Sequence, residues 1–209
     1  KIAFKNLANR LFENSNLFRG GENNNNRQFL QTNGSLAVIK SMISSQLEGE
    51  HLLSQQRKDR LKWNLNYTLT AQDQPDYRVL PYQKSIDDKN DKSVPFEVVL
   101  RDTYRYWSEL MDNAFGGNIN YTLPFAIGGK KQQLKAGVLM QYKIRDFETR
   151  IFRYEEATNR FNRELLILSP TLVFNDGNIY EEGFVLNEIT NHTDKYGATS
   201  GLYAGYVMV

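Results

Sequence analysis

The sequence predicts an all-β chain whose antiparallel strands run up and down, and two clean period-two stretches carry that prediction. From Leu61 to Ala71, the residues Leu61, Trp63, Leu65, Tyr67, Leu69 and Ala71 alternate with Lys62, Asn64, Asn66, Thr68 and Thr70. From Leu134 to Ile144, the residues Leu134, Ala136, Val138, Met140, Tyr142 and Ile144 alternate with Lys135, Gly137, Leu139, Gln141 and Lys143. Side chains on a strand point alternately to its two faces, so each stretch has one apolar and one polar face. Stretches of about 10 residues, when tilted, are also long enough to cross a bilayer. The apolar face therefore meets either a protein core or lipid.

The remaining elements follow in order. Lys1 to about Arg10 alternates weakly through Ile2 and Phe4. Glu13 to Asn33 is rich in Asn and Gly, and its composition predicts a loop. Gly34 to His51 reads as a strand, with Ala37, Ile39, Ile43, Leu47 and Gly49 on one face. The other face of that strand carries Lys40, Ser44, Gln46, Glu48 and Glu50. A short polar link, Ser54 to Arg60, leads into the first clean strand. Gln72 to Asn113 is long and polar, with Pro75, Pro81 and Pro95 as breakers, and within it Arg101 to Met111 leans to strand. Alternation returns from Ala114 to Phe125. Gly128-Gly129 between two alternating runs is a hairpin signal. The second clean strand runs on past Ile144 through Asp146, Phe147, Thr149, Ile151 and Phe152. Its charged upper positions Asp146, Glu148 and Arg150 are expected outside any lipid band. Tyr154 to about Ser200 is another long connection, and Gly201 to Val209 is a last apolar strand.

Connections then read long, short, long, short, long. Up-and-down strands place alternate connections at opposite ends, so one end carries tight turns and the other the large loops. Outer-membrane barrels sort their connections in this way, with short periplasmic turns and long extracellular loops, whereas a soluble sandwich has no reason to. Phe125 at the turn end, with Tyr67 and Tyr142 toward the loop end, would suit the aromatic girdles of such a barrel. The alternative is half of a soluble β core, with Lys62, Asn64, Asn66, Thr68, Thr70, Lys135, Gln141 and Lys143 as a solvated sheet face instead of a wet barrel lumen.

Composition narrows the function classes. With 26 basic and 24 acidic residues the net charge is +2, which gives no basic field for nucleic acid. Mean hydropathy is −0.58 and no long apolar run exists, so helical membrane spans are excluded. A barrel wall needs an apolar residue only at alternate positions and is not excluded. The absence of cysteine removes disulfides, thiolate metal sites and a cysteine nucleophile. His51 and His192 alone do not make a metal set, and no cofactor is expected. Asp87-Asp88-Lys89-Asn90-Asp91 lacks the glycine and terminal glutamate of a calcium loop. The Gly-Gly pairs precede no helix, so they form no phosphate-binding fingerprint. No nucleophile motif or catalytic constellation is present, and the chain is not read as an enzyme. Asn-Tyr-Thr sequons at 66 and 120 fall inside strands, which makes chance the better account of them.

Binding chemistry concentrates in the long connections. Tyr77, Arg78, Tyr82, Tyr104, Tyr106 and Trp107 in one, and Arg153, Tyr154, Arg160, Phe161 and Arg163 in the other, mix aromatics with arginine as recognition surfaces do. The competing reading is that the loops pack on one another through the same residues.

Gln46-Leu-Glu-Gly-Glu-His51, then Leu61-Lys-Trp-Asn-Leu-Asn-Tyr-Thr68 and Gln74-Pro-Asp-Tyr-Arg78, resemble consecutive wall strands of TonB-dependent outer-membrane receptors, in the subgroup with an N-terminal carboxypeptidase-regulatory-like domain. Ile2-Ala-Phe-Lys-Asn6 resembles the strand before them, and Leu134-Lys-Ala-Gly137 and Leu202-Tyr-Ala-Gly-Tyr206 resemble later ones. The resemblance spans nearly the whole chain in order. It implies that residues 1–209 are part of one transmembrane β-barrel domain, supplying about six of the ~22 strands of a plugged transporter. Signal peptide and plug would lie outside this chain, and both chain ends read as cuts within a longer polypeptide. The implied function is TonB-driven import of a scarce metal-chelate, glycan or peptide across the outer membrane of a Gram-negative bacterium. The implied partners are TonB acting through the plug, outer-membrane lipid and a surface lipoprotein lid. Tyr77, Arg78, Trp107 and Arg153 would be loop contacts to substrate, with Asp76 and Arg78 fixing loop geometry. Lys62, Asn64, Asn66, Lys135 and Gln141 would line the lumen. The reading from another class is a soluble carbohydrate-binding or adhesive β domain that uses Trp63 or Trp107.

Overall fold

The computed structural model describes residues 1–209 and contains one antiparallel sheet. Its strands are β1 (Ile2–Asn23), β2 (Gln28–Leu52), β3 (Arg60–Ser85), β4 (Glu97–Val98), β5 (Tyr104–Ile127), β6 (Lys130–Glu156), β7 (Phe184–Glu188) and β8 (Tyr196–Met208). The long strands pair as β1-β2-β3-β5-β6-β8, each with its neighbour along the chain, in an up-and-down order that does not close. No helix is long and apolar enough to cross a membrane.

Three sequence expectations change. Glu13–Asn33 is not a loop. β1 pairs with β2 without interruption from Ile2↔Gly49 to Asn23↔Gln28, and only 24–27 turns, with Arg27 at φ +50°. Asparagine and glycine have low strand propensity, but a neighbouring strand in register satisfies the backbone whatever the side chains are. The first connection is therefore tight, and only the connections 86–103 and 157–195 make their end of the sheet the loop-rich one. Second, most of Gln72–Asn113 is strand. Pro75 is tolerated inside β3 because the strand bulges there. The registers to β2 and β5 shift across Gln74–Tyr77, and Asp76 takes φ +55°. Third, β6 runs on to Glu156 and β8 begins at Tyr196, so the last long connection is shorter than its composition suggests.

Register turns the alternation of single strands into two sheet faces. Phe4, Leu47, Leu65, Gly117, Met140 and Tyr203 form one transverse row, and Ile2, Gly49, Trp63, Ile119, Val138 and Gly205 form the row beside it. These side chains stay open to the surroundings: Leu65 is 58%, Val138 60% and Tyr203 69% exposed. Toward the loop end come Tyr67, Phe115 and Tyr142 and then Ile43, Leu69 and Ile144, with the Tyr67 hydroxyl donating to Asn113 Oδ1 of that last row at 2.7 Å. Beyond them, on the same face, come Asp146 and then Asp73, Glu109 and Glu148 in direct register. On β6 the apolar stretch Leu134–Ile144 is about 33 Å long at ~3.3 Å per residue. Glycine allows bulky neighbours to lie flat on the sheet. A Cβ on Gly49 would sit 2.4 Å from the Trp63 ring, whose Nε1 donates to His51 Nε2 at 3.1 Å.

The only closed hydrophobic core is at the loop end. Leu80, Tyr82, Val98 and Tyr154 from the sheet enclose Phe161, Leu165, Leu166, Val173 and Phe184 from the 157–188 segment. Tyr154 stacks on Phe174 at 3.6 Å, and the Tyr82 hydroxyl donates to the Leu168 carbonyl at 2.8 Å. Tyr82, Tyr154 and Phe161 thus serve loop packing, the competing reading of those aromatics. Parity puts this core on the same face as the apolar rows.

Candidate functional site

The polar face is continuous across the middle strands. Lys62, Asn64, Asn66, Lys135 and Gln141 all lie on it, as their alternation predicted. Asn64 is in register with Asn118, Lys62 with Asn120, and Asn66 with Gly116. Asn66 Nδ2 donates to Asn64 Oδ1 at 3.1 Å, and Asn120 Nδ2 donates to Asn118 Oδ1 at 2.9 Å. A Cβ on Gly116 would collide with the Asn66 amide at 2.6 Å, so the glycine is what lets that amide lie down. Tyr206 on β8 spans Gly137 in the same way. Its ring would be 2.5 Å from a Cβ there, and its hydroxyl donates to Asn120 Oδ1 at 2.8 Å. A cleft of about 290 Å³ opens here, lined by Glu48, Glu50, Lys62, Asn64, Asn118 and Asn120. Glu48 is paired with Lys5, while Glu50 lies 3.6 Å from both Lys62 and Arg60. Leu139 and Leu202 interrupt the face toward β8. Nearer the loop end, Asp112 accepts from Arg145 at 2.7 and 2.6 Å and pairs with Lys143 at 2.8 Å. The Arg145 hydrogen bonds, helped by Lys143 and opposed by burial, hold the Asp112 carboxyl down at about 2.

At the loop end the four predicted substrate contacts are not brought together. The bulge at Pro75-Asp76 shifts parity on β3, so Tyr77 and Arg153 lie on the polar face, whereas Arg78 and Trp107 lie on the apolar-row face. Arg78 is committed to Asp76, which accepts its Nε at 2.7 Å and also takes both Nε and Nη2 of Arg105 at 2.7 Å. Burial works to raise the Asp76 carboxyl, but the hydrogen bonds from Arg105 and Arg78 outweigh it and hold it below its ordinary value. Trp107 meets Phe152 edge-on at 5.3 Å, with the Arg105 guanidinium 4.8 Å from its ring and Arg150 4.8 Å from Phe152. Those contacts make Arg78 and Trp107 parts of a packed brace around the bulge.

Tyr77 keeps different company. It meets Tyr104 edge-on at 5.9 Å, faces Tyr106 in register, and shares its face with Arg153 and with Arg19 of β1. Burial, and then the Tyr77 phenol, push the Tyr104 hydroxyl up while Arg19 pulls it down. Arg19 escaped the sequence reading because it fell in a presumed loop. Asn118 and Asn120 escaped because only register sets them opposite Asn64 and Lys62. Neither a protein-family model nor a curated protein matches this chain.

Proposed function

We propose that the chain is a wall segment of a TonB-dependent outer-membrane receptor, which imports a scarce substrate using energy relayed by TonB. The observation that carries the reading is the pair of exposed rows, from Phe4 to Tyr203 and from Ile2 to Gly205, that run across β1, β2, β3, β5, β6 and β8 without a polar side chain. A water-soluble sheet would cover such a face, since exposed apolar patches beyond a few hundred Å² are rare on monomers. Tilted by about 40°, the Leu134–Ile144 stretch would rise about 25 Å, the height of the apolar band of an outer-membrane barrel. The opposite face, with its amides and neutralised charges, suits a wet lumen. The unpaired outer edges of β1 and β8 call for further strands.

On this reading no chemical step occurs in the wall. β6 continues beyond the band as a stiff arm, with Asp146, Glu148 and Arg150 above the lipid. Tyr77, Tyr104, Tyr106 and Arg153 face the lumen mouth, while Arg78 and Trp107 brace the arm from behind. The test is lipid contact at Trp63 in the full-length protein reconstituted in vesicles. Quenchers attached to acyl chains should quench Trp63 emission, read against a Trp63→Phe variant, and aqueous acrylamide should not. Recovery of the folded protein in the soluble fraction, monodisperse without detergent, would overturn the proposal.

A further inference from the structure

The turn end of the sheet carries a charge pattern that wall-building alone does not require. No acidic residue occurs between Asp112 and Asp146, and the link 53–60 holds only Asp59. That carboxylate is withdrawn from the surface. Asp59 is 1% exposed, accepts from the Tyr121 hydroxyl at 2.9 Å and lies 3.4 Å from Arg57. The exposed charges of the two turns are therefore cations, Arg57 and Lys58 on the first and Lys130 and Lys131 on the second. At the loop end the sign reverses, with carboxylates outnumbering cations in both 86–103 and 157–195. The β5–β6 hairpin also stands clear of β3, whose first residue Arg60 is opposite Thr122. Leu123 to Ile127 reach about 17 Å further, at ~3.4 Å per residue.

At the rim formed by these turns a cleft of about 680 Å³ opens. Lys58 from the first turn and Lys131 and Lys135 from the hairpin line it, and no carboxylate does. Pro124, Phe125 and Met208 give it an apolar wall. Ammonium groups beside apolar surface match an amphiphilic anion, with a phosphodiester among the lysines and the glycerol and first methylenes against the wall. Lysine suits this arrangement, because its stem can lie along apolar surface while its head reaches a phosphate. A bare anion would leave the wall uncovered. The wall also continues from Phe125 through the opposed pair Leu123 and Leu134 into the exposed apolar rows. The tails of a lipid seated here would run on along that face, whereas an acidic polypeptide would gain nothing from the continuity. We infer that Lys58, Lys131 and Phe125 form a headgroup site for an anionic phospholipid of the leaflet on the turn side. The inference rests on the membrane proposal, which places lipid at that depth.

The experiment is native mass spectrometry of the full-length protein in neutral detergent, titrated with dioleoyl phosphatidylglycerol or dioleoyl phosphatidylcholine. Phosphatidylglycerol should be held about 20-fold more tightly. Lys58→Gln and Lys131→Gln should each weaken it about fivefold, and the double variant should bind the two lipids alike. Lys89→Gln, the same change of charge at the loop end, should leave the preference intact. Unchanged thermal midpoints confirm that the variants fold. Equal retention of the two lipids by the unaltered protein, or a preference that survives in the double variant, overturns the inference. Tighter binding of glycerophosphoglycerol or of hexaglutamate than of phosphatidylglycerol overturns it too, because the cleft would then be a bare phosphate site or an acidic-protein contact. Quenching of Trp63 by acyl-chain quenchers without any headgroup preference refutes this inference alone. Absence of that quenching refutes the membrane proposal itself.

Discussion

Placing arginine at successive outward positions of β6 separates lipid from water as the neighbour of the apolar face. Met140, 54% exposed, sits near the middle of the Leu134–Ile144 stretch, Ile144 at its loop-end limit, and Glu148 about 26 Å beyond Met140 on the same face at ~3.3 Å per residue. If the band is in a bilayer, Met140→Arg costs ~2–4 kcal/mol and Ile144→Arg ~0–1 kcal/mol, by the depth dependence of cationic substitutions in barrel walls. The larger cost shifts the folding equilibrium roughly 30- to 700-fold. Glu148→Arg stays within ~0.5 kcal/mol, as surface changes do, or gains slightly because Glu109 lies directly opposite. Guanidinium titrations of the full-length protein in phosphatidylcholine vesicles, followed by heat-modifiable gel migration, measure all three. Under the soluble reading Met140 is a surface residue and the profile is flat. A Met140→Arg cost below about 0.5 kcal/mol in vesicles would refute the argument from the apolar rows.

Four other outcomes follow from the packing. Gly137→Val should cost ~1–3 kcal/mol, because its Cβ meets Asn120 and Tyr206, and Tyr206→Ala in the same chain should recover part of that loss in a denaturation series. Tyr154→Ala removes a fully packed ring and should cost ~3–5 kcal/mol within the loop-end core, seen as rapid proteolysis inside 157–183 while the strands stay protected. Asp112 has a carboxyl depressed from 3.8 to about 2 by Arg145 and Lys143, so its stabilisation is present above pH 4 and lost as the pH falls toward 2. Asp112→Asn should remove that part of the acid dependence, measured as the difference between denaturation midpoints at pH 5 and pH 2.5. Asp76→Ala should leave Arg78 and Arg105 without their shared acceptor and strain the left-handed position, costing ~1–3 kcal/mol by thermal unfolding.

The strands around Leu65, Phe115 and Met140 were legible because alternation is a property of one strand and needs no partner to be seen. The hairpin at Gly128-Gly129 was legible for the same local reason, with both glycines at positive φ. Residues 13–33 were not, since their strand character comes from the ladder between β1 and β2 and little in Asn14, Asn16 or Asn33 announces it. The polar face was read correctly as a face, yet the cleft within it was invisible. Opposition of Asn64 to Asn118 depends on the register between β3 and β5, and register is a pairwise fact. The division of the loop candidates between two faces was hidden for a third reason. A bulge breaks the alternation at Pro75-Asp76, and past that point a period-two reading cannot tell which neighbour, Tyr77 or Arg78, turns to which side. The 157–183 segment has no period at all, so its buried Phe161, Leu165 and Val173 emerge only from tertiary contact.

The extra residue at the bulge of β3 works like a phase slip in a two-stroke rhythm. Below it, odd-numbered side chains of β3 belong to the apolar rows; above it, Leu80 and Tyr82 take that side. A strand of the same length that ran straight through this point would leave the lower half untouched and invert everything above it. Leu80 and Tyr82 would swing out of the loop-end core, and Arg78 would take the place of Tyr77 among the tyrosines. Taking out one residue does the reverse: without Pro75, Gln74 stays opposite Ser108 and Tyr77 stays opposite Tyr106, so plain alternation is restored with both faces kept. The deletion should therefore preserve the arm and lose only the bulged geometry in which Asp76 gathers two arginines, whereas a one-residue deletion between Tyr77 and Leu80 should turn Leu80 and Tyr82 away from the loop-end core while the strand beneath still folds.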